Sequence, residues 1–390
     1  MSDDPVQEPV SSLYVHVPFC TQKCEYCAFF SEAAKGETVN RYVDSLIREM
    51  ELVAADLKPK TIFFGGGTPS LLNLRQWEMI LTAMHRMNLS GAEEWTVECN
   101  PATVSLEKAT LLREGGVNRI SMGVQSLDEN LLDRLGRVHS REMVFKSCDT
   151  LRAAGFENIN LDLMFAIPGQ SMEIWKKTLA EAVAFGSEHL SCYEVIYEED
   201  TALYEKLQAG EFAVDEELAC AMYEELLNVA NANGFRQYEI ANFARHLSSE
   251  PDEVPDRACR HNINYWRGGS FYGLGPSAAG YVRGARTKNW SNTTLYCEQL
   301  ERGQRAIESR EELKPLSRAG EIAAFGLRMN DGWPLVEFRQ RTGFDLGDEW
   351  KTEIARMIGL GYASLDEKKF QLTARGLRYA DWAAEQFLRI

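Results

Sequence analysis

Three cysteines crowd into eight residues near the start of the chain, in Cys20-Thr-Gln-Lys-Cys24-Glu-Tyr-Cys27. Thiolates spaced C-x₃-C-x₂-C can reach three irons of one [4Fe–4S] cube and leave the fourth iron without a protein ligand. An open metal position invites an exogenous ligand. The amino and carboxylate groups of S-adenosylmethionine would chelate that iron, and an electron from the cluster could then cleave its S–C5′ bond. A structural zinc site or a redox thiol pair is the competing reading. Zinc wants a fourth Cys or His at matching spacing, and only His16 lies nearby, within a strand pattern.

Other polar residues recur where short apolar runs end. Gly65-Gly66-Gly67-Thr68-Pro69 follows Phe63-Phe64, and glycines there let a backbone approach a ligand and offer it N–H groups. Glu98, in Val97-Glu-Cys-Asn-Pro101, suits ribose hydroxyls or an amino group; Gln125 sits in Gly123-Val-Gln-Ser126, and Asp162 opens Asp162-Leu-Met-Phe. Arg137, in Leu135-Gly-Arg-Val-His139, is a candidate carboxylate clamp. Singly, each is most simply a solvated or packing residue; together, at successive strand ends, they make a site.

The elements that must position them follow from periodicity. Strands are predicted over Leu13–Val17, Thr61–Phe64, Trp95–Glu98, Arg119–Gly123, Ile159–Leu163 and Leu190–Val195. Helical patterns with apolar residues at i, i+3 and i+4 lie between them, over Tyr42–Leu57, Leu74–Met87, Leu106–Glu114, Met143–Ala154 and Ile174–Phe185. This alternation predicts the α/β class: a parallel sheet covered by helices, as an open, partial (β/α)6 barrel with functional residues at the C-terminal strand ends. Further on, helices are expected over Ala202–Ala209 and Glu216–Asn233, a strand over Tyr238–Phe243, and a surface loop over Arg245–Arg257. Gly268-Gly and Tyr272-Gly-Leu-Gly-Pro276 read as turns. After Lys314 come helices over Arg318–Met329, Leu335–Thr342 and Asp348–Ile358, short strands Ala363–Ser364 and Phe370–Leu372, and a final helix from Ala374, which is the winged-helix order.

The formal charge of −16 over 390 residues leaves no basic field for holding nucleic acid. No apolar run approaches the roughly 20 residues of a membrane span, and the acidic start is the reverse of a signal peptide. Nine cysteines, an odd number with three clustered, favour metal binding in a reducing compartment over a disulfide framework. The expectation is a cytoplasmic protein, with peripheral attachment to a membrane through a partner allowed for. Cys148 and Cys220 fall on helical faces and are expected to be buried.

On Tyr14-Val-His-Val-Pro-Phe-Cys20, Gly65-Gly-Gly-Thr-Pro69, Val97-Glu-Cys-Asn-Pro101, Gly123-Val-Gln-Ser126, Asp162-Leu-Met-Phe-Ala-Ile-Pro-Gly169 and His261-Asn-Ile-Asn-Tyr-Trp266, the chain resembles the radical-SAM proteins related to oxygen-independent coproporphyrinogen III oxidase, and within them the heme-chaperone branch. The resemblance covers nearly the whole chain. It implies a tail over 1–11, a radical-SAM core over 12–236, an extension over 237–313 carrying the His-Asn motif, and a winged-helix-like domain over 314–390. It implies that Tyr14, Gly66 and Glu98 contact cluster-bound S-adenosylmethionine and that Tyr26 packs on its adenine. Gly67, Thr68, Gln125, Arg137 and Asp162 match positions that line a second S-adenosylmethionine in the oxidase. Two departures set the chain apart from the oxidase: Phe29 stands where that enzyme has a further cysteine, and the arm before Cys20 is short. Both belong to the chaperone branch and put decarboxylation of a porphyrinogen in doubt.

In Cys259-Arg-His261-Asn-Ile-Asn-Tyr265-Trp266, an imidazole beside two aromatic rings could ligate a heme iron, and the resemblance associates this motif with heme. A core histidine fixed by Asn262 or Asn264 is the plainer alternative, and Cys259 is an alternative ligand. Two readings of function result. One is a heme carrier serving recipient hemoproteins, respiratory and membrane-associated ones included, with a homodimer allowed for; the other is a radical-SAM oxidoreductase acting on a porphyrin-like substrate.

Overall fold

The computed structural model describes residues 8–246 and 254–389, so the N-terminal residues 1–7 and most of the expected loop over Arg245–Arg257 lie outside the described residues. The described chain divides into two units. The first comprises 8–188, 193–226 and 270–310, and the second comprises 189–192, 227–246, 254–269 and 311–389.

In the first unit the apolar runs form β1 (Val10–Val17), β2 (Leu57–Gly66), β3 (Glu94–Cys99), β4 (Arg119–Gln125) and β5 (Ile159–Phe165). They pair in that order, all parallel, with Leu13 opposite Ile62, Ile62 opposite Trp95, Val97 opposite Ile120, and Met122 opposite Leu161. Leu13, Val15, Ile62, Phe64, Val97, Ile120 and Met122 are all buried, as expected of a parallel sheet covered on both faces. Between the strands run α1 (Gly36–Val53), α2 (Leu74–Arg86), α3 (Leu106–Glu114), α4 (Glu129–Arg134), α5 (Arg141–Ala153) and α6 (Met172–Ala184). Each start from α2 onward is fixed by a side chain that accepts a helix N–H: Asn73, Ser105, Asp128, Ser140 and Ser171. The α/β class expected from the alternation is therefore present, and the C-terminal ends of β1 to β5 share one edge.

Two expectations are corrected. The segment 272–276, read as turns, contributes the strand Tyr272–Leu274, which lies parallel beside β1 with Tyr14 opposite Gly273. Its glycine reflects close approach, because a Cβ on Gly273 would stand 1.9 Å from the Ala279 carbonyl oxygen. Gly275 N–H then donates to Glu49 Oε2 at 2.9 Å, and Asn289 Nδ2 and the Tyr296 hydroxyl donate to the same carboxylate at 2.8 and 2.9 Å. Glu49 is fully buried on α1, so this network ties the added strand to the sheet's covering helix. Cys220, expected to be buried, is exposed, whereas Cys148 is buried as expected; one helical pattern does not say which face a neighbouring element covers.

In the second unit the expected strand Tyr238–Phe243 is two strands, Phe235–Glu239 and Asn242–Arg245, turned back on each other through Ile240 and Ala241. The strand His189–Glu194, expected over Leu190–Val195, pairs antiparallel with Asn242–Arg245. Helices Pro315–Gly326, Leu335–Thr342, Leu346–Glu349 and Lys351–Gly359 accompany a small sheet in the order Trp333–Pro334, Lys369–Leu372, Ala363–Leu365, whose first strand falls between the first two helices. Their shared core is Trp333, Phe338, Trp350, Phe370 and Phe387, all fully buried.

Candidate functional site

The ends of the first unit's strands surround a cavity of about 490 Å³. Cys20, Cys24, Cys27, Tyr26, Gly66, Gly67, Thr68, Glu98, Gln125, Arg137 and Asp162 all line it, so eleven of the residues singled out from sequence are brought together. Tyr14 is not among the lining residues, and His261 lies in the second unit.

The cysteine loop leaves β1 through Pro18 and Phe19 and is pinned at several points. Glu25 N–H donates to the Leu135 carbonyl at 3.0 Å, Cys27 N–H to the Cys24 carbonyl at 3.2 Å, and Glu32 N–H to the Pro18 carbonyl at 2.6 Å. The three thiols are free and half-buried. No group of three or more His, Cys, Asp or Glu among the described residues is disposed around a single metal ion, and a cube spreads its thiolates over separate irons. Arg137 Nη1 donates to Cys24 Sγ at 3.4 Å and Nη2 to the Gly123 carbonyl at 2.7 Å, while its Nε is buried without a hydrogen-bond partner. Burial works against the guanidinium's charge, but Tyr26, Cys24 and Cys20 outweigh it and hold Arg137 protonated. A fixed cation with one unmet buried donor, beside three thiols, suits an anionic inorganic core or a ligand carboxylate.

His16, set aside from sequence as a fourth zinc ligand because it lies within a strand pattern, organises the start of this loop. The Phe30 carbonyl can only accept, so His16 Nε2–H donates to it at 2.9 Å; Nδ1 then accepts from the Tyr14 hydroxyl at 3.0 Å. Burial lowers the His16 pKa and keeps the ring neutral. Both nitrogens are thereby occupied within the chain, which removes His16 as a fourth metal ligand. Its ring also lies against Gly66, whose φ of 103° is in the left-handed region and where a Cβ would sit 2.3 Å from the imidazole.

The glycine turn's N–H groups, read from sequence as donors to a ligand, are committed internally. Gly66 N–H donates to Glu98 Oε2 at 3.1 Å, Gly67 N–H to the Val17 carbonyl at 2.8 Å, and Thr68 N–H to the Phe19 carbonyl at 2.7 Å. The first of these bonds ties β2 to β3, and the other two tie the turn after β2 to the end of β1 and the start of the cysteine loop, with the Thr68 hydroxyl 3.6 Å from Cys20 Sγ.

Glu98 and Asp162 place two carboxylates on the same cavity. Burial first and the Asp162 charge second push Glu98 up to about 8 from an ordinary 4.5. Asp162 is held by Asn160 Nδ2 at 2.8 Å and by the Ser121 hydroxyl at 3.2 Å, and Asn160 also donates to Ser121 at 2.8 Å. Gln125 has φ 64° at a bulge in the pairing of β4 with β5. Arg137 on the Gly123 carbonyl and His139 Nε2 on the Val124 carbonyl, at 3.1 Å, clamp that bulge from either side. Burial, with Arg137 nearby, lowers His139 to about 4 and keeps it a neutral donor. Asn160 and His139 were missed from sequence because each acts on another residue rather than on the cavity, and Ser121, which lines the cavity, because a serine within a strand pattern carries no signal; His139 alone had one, two positions after Arg137.

In the second unit His261 lies on the helix Arg260–Trp266 and is buried. Its Nε2 is 2.8 Å from the Tyr265 hydroxyl, one helical turn on, with the two rings edge to face at 4.7 Å. Ile263 and Trp266 of the same helix pack against Tyr238, Ala244, Ala258 and Met329.

Comparison with known proteins bears on this arrangement. Residues 14–182 match the family model of the Radical SAM superfamily, and 313–379 that of the HemN C-terminal domain. The chain is 33% identical over 385 residues to the heme chaperone HemW of Lactococcus lactis subsp. lactis (strain IL1403), covering 98% of both chains. It is 33% identical over 373 residues to that of Bacillus subtilis (strain 168), covering 94% of this chain and 96% of the relative. With that of Escherichia coli (strain K12) it shares 32% over 389 residues, covering 98% and 99%. Among solved structures, coproporphyrinogen III oxidase (HemN) from Escherichia coli superposes with a TM-score of 0.84 at 22% identity, covering 98% of this chain and 90% of that one. That likeness establishes the shared fold.

Proposed function

The chain belongs to the HemW family within the radical SAM superfamily, and on that premise we propose that it binds heme and hands it to hemoproteins, carrying a [4Fe–4S] cluster on Cys20, Cys24 and Cys27 and S-adenosylmethionine on that cluster. The observation that carries the reading is likeness to heme chaperones over 98% of both chains. Phe29, at the position of the oxidase's further cysteine, supports it. Nine cysteines, an odd number with three clustered in one loop, suit work in a reducing cytosol.

When bound, the cluster supplies an open iron for chelation and an electron. The chain's own residues do the rest. Arg137 neutralises charge beside Cys24 and offers Nε to a carboxylate. Tyr26, packed with Leu131, Leu135 and Met164, gives an adenine a flat wall. His16 directs the Tyr14 proton inward, so the Tyr14 oxygen faces its surroundings as an acceptor.

Glu98 gives a pH dependence. Its folded pKa of about 8 lies above the ordinary 4.5, so the folded state retains a proton that the unfolded chain loses. The stability this contributes is full below about pH 4.5 and is lost as pH rises through 8. To chelate iron the amino group of S-adenosylmethionine must be a neutral amine and so gives up its own proton; its N–H groups, beside the sulfonium charge, lower the Glu98 pKa again when they donate to the carboxylate. Binding near pH 7 is therefore expected to release more protons in wild type than in Glu98→Gln, the excess declining above about pH 8. Calorimetry in buffers of different ionisation enthalpy reads the difference; equal release by the two would remove Glu98 from the contact.

Heme uptake tests the reading itself. The reconstituted chain is expected to take up one heme, and His261→Ala to weaken uptake by about tenfold, the equivalent of one lost iron ligand or its support. Uptake by neither protein sinks the carrier; equal uptake by both removes His261 from it. The oxidoreductase remains the second reading because the cavity keeps its full polar set.

A further inference from the structure

Glu25 and Tyr26 separate the second cysteine from the third, and both are held by a helix far along the chain that the site's chemistry leaves without a role. That helix, Ala202–Gln208, belongs to the first unit, and the Thr201 side chain fixes its start by accepting from Tyr204 N–H at 3.3 Å. Leu203 N–H, an orphan donor of the first turn, donates to the Glu25 carbonyl at 2.8 Å. Glu25 N–H is already committed to the Leu135 carbonyl, so the main chain of Glu25 is bonded at both its polar groups. The Leu203 side chain is buried among Leu131, Leu135, Met164, Ile167 and Val195, the same cluster against which Tyr26 lies. Lys206, one turn on, sets Nζ 3.0 Å from Glu25 Oε2, a buried oxygen that makes no hydrogen bond.

We propose that Leu203 and Lys206 are positioning residues for the cluster, a role that rests on the reading of Cys20, Cys24 and Cys27 as its ligands. Acting through Glu25, they hold the Cys24–Cys27 half of the loop in one geometry. An open surface ion pair would be too weak for this, because water screens it. This pair is only partly open, at 40% for Lys206 and 29% for Glu25, and the carboxylate oxygen it meets is shielded. Removing Lys206 leaves that oxygen with neither a counter-charge nor water, which costs more than losing an exposed pair. Leu203 anchors the helix by burial, and Lys206 decides how readily the loop opens. Little slack exists on the opposite side, where Gly136 has φ 69° and a Cβ would lie 3.2 Å from Glu25 Cγ. Cys20 is held independently, since Phe19–Cys20 pairs with Glu32–Ala33. The lock therefore acts on two thiols of the three, a selectivity that general loosening of the fold does not produce.

The full-length chain tests this first without metal, by alkylation with neutral iodoacetamide followed at each cysteine by mass spectrometry. Lys206→Glu is expected to raise the Cys24 and Cys27 rates about fivefold and to leave Cys20 at its wild-type rate. An added negative charge by itself disfavours thiolates and slows alkylation, so a faster rate reports an opened loop. The chain carrying both Glu25→Lys and Lys206→Glu should return to within about twofold of wild type, because the pair is restored with its charges exchanged. Arg86→Glu, which breaks an exposed pair with Glu51 in the same unit, should leave all three rates unchanged. After anaerobic reconstitution, iron loss to a chelator should follow the same order, with the exchanged chain again rescued. S-adenosylmethionine should give the reduced wild type one paramagnetic species and Lys206→Glu a mixture. The thermal midpoint should move little, since both side chains reach water. Wild-type Cys24 and Cys27 rates in Lys206→Glu, or no rescue by the exchange, overturn the positioning role. Failure of wild type to take up iron, whatever the thiol rates, sinks the cluster reading and the positioning role with it.

Discussion

Cys24→Ser is expected to abolish cluster assembly while leaving the fold intact. Of the three thiols, Cys24 is the one that accepts a hydrogen bond from the cationic Arg137, which fixes the position of its sulfur. Serine keeps the volume but not the ligand: its hydroxyl stays protonated near neutral pH and offers iron a poor donor. The side chain is half-buried, and the loop is pinned by backbone bonds from Glu25, Cys27 and Glu32 that do not involve the sulfur. The thermal midpoint should therefore move little, with a cost within about 1 kcal/mol. After anaerobic reconstitution, iron and sulfide should fall from about four of each per chain to near zero. S-adenosylmethionine should then produce no change in the paramagnetic spectrum of the reduced protein. Full iron retention in Cys24→Ser would mean that the metal sits elsewhere.

Gly66→Ala is expected to destabilise the first unit by about 2–4 kcal/mol, through strain and collision together. A residue with a Cβ at φ 103° is strained by itself, and here the Cβ would also stand 2.3 Å from His16. Moving the imidazole breaks its bonds to Tyr14 and Phe30, so the damage passes to the end of the cysteine loop. Gly91→Ala separates the two causes. Gly91 has φ 93°, but a methyl added there would meet nothing within 4 Å, so it should show the strain of about 1 kcal/mol and no more. Urea unfolding of both variants, with iron content measured after reconstitution, checks the pair. Equal losses at the two positions would show that His16 gives way freely and is no spacer.

The parts of the site that are legible in the sequence are those written locally. The cysteine spacing, the glycine run after Phe64, and Glu98, Gln125 and Asp162 each follow an apolar strand pattern, so periodicity alone carries them to one edge of a parallel sheet. The helices expected over Leu74–Met87 and Leu106–Glu114 are legible for the same reason. What stays hidden depends on partners distant in the chain. Gly273 looks like a turn residue until Ala279 is seen against it, and the strand beside β1 is lost with that reading. His16 looks like a spare metal ligand until Phe30 and Tyr14 take both its nitrogens. The pairing of Glu25 with Lys206 has no signature at all, since it joins two charges far apart in the chain. Cys220 shows the converse: helical spacing placed it on a face that nothing covers.

We propose, then, that a cavity for S-adenosylmethionine sits in a chain that carries heme rather than oxidising its precursor. The most direct test of that pairing incubates the cluster-loaded protein anaerobically with coproporphyrinogen III, S-adenosylmethionine and a reductant, and weighs the tetrapyrrole by mass spectrometry. The predicted result is a tetrapyrrole of unchanged mass, while a parallel sample takes up one heme per chain. Loss of one or two carboxyl groups as carbon dioxide would contradict it and make the chain an oxidase.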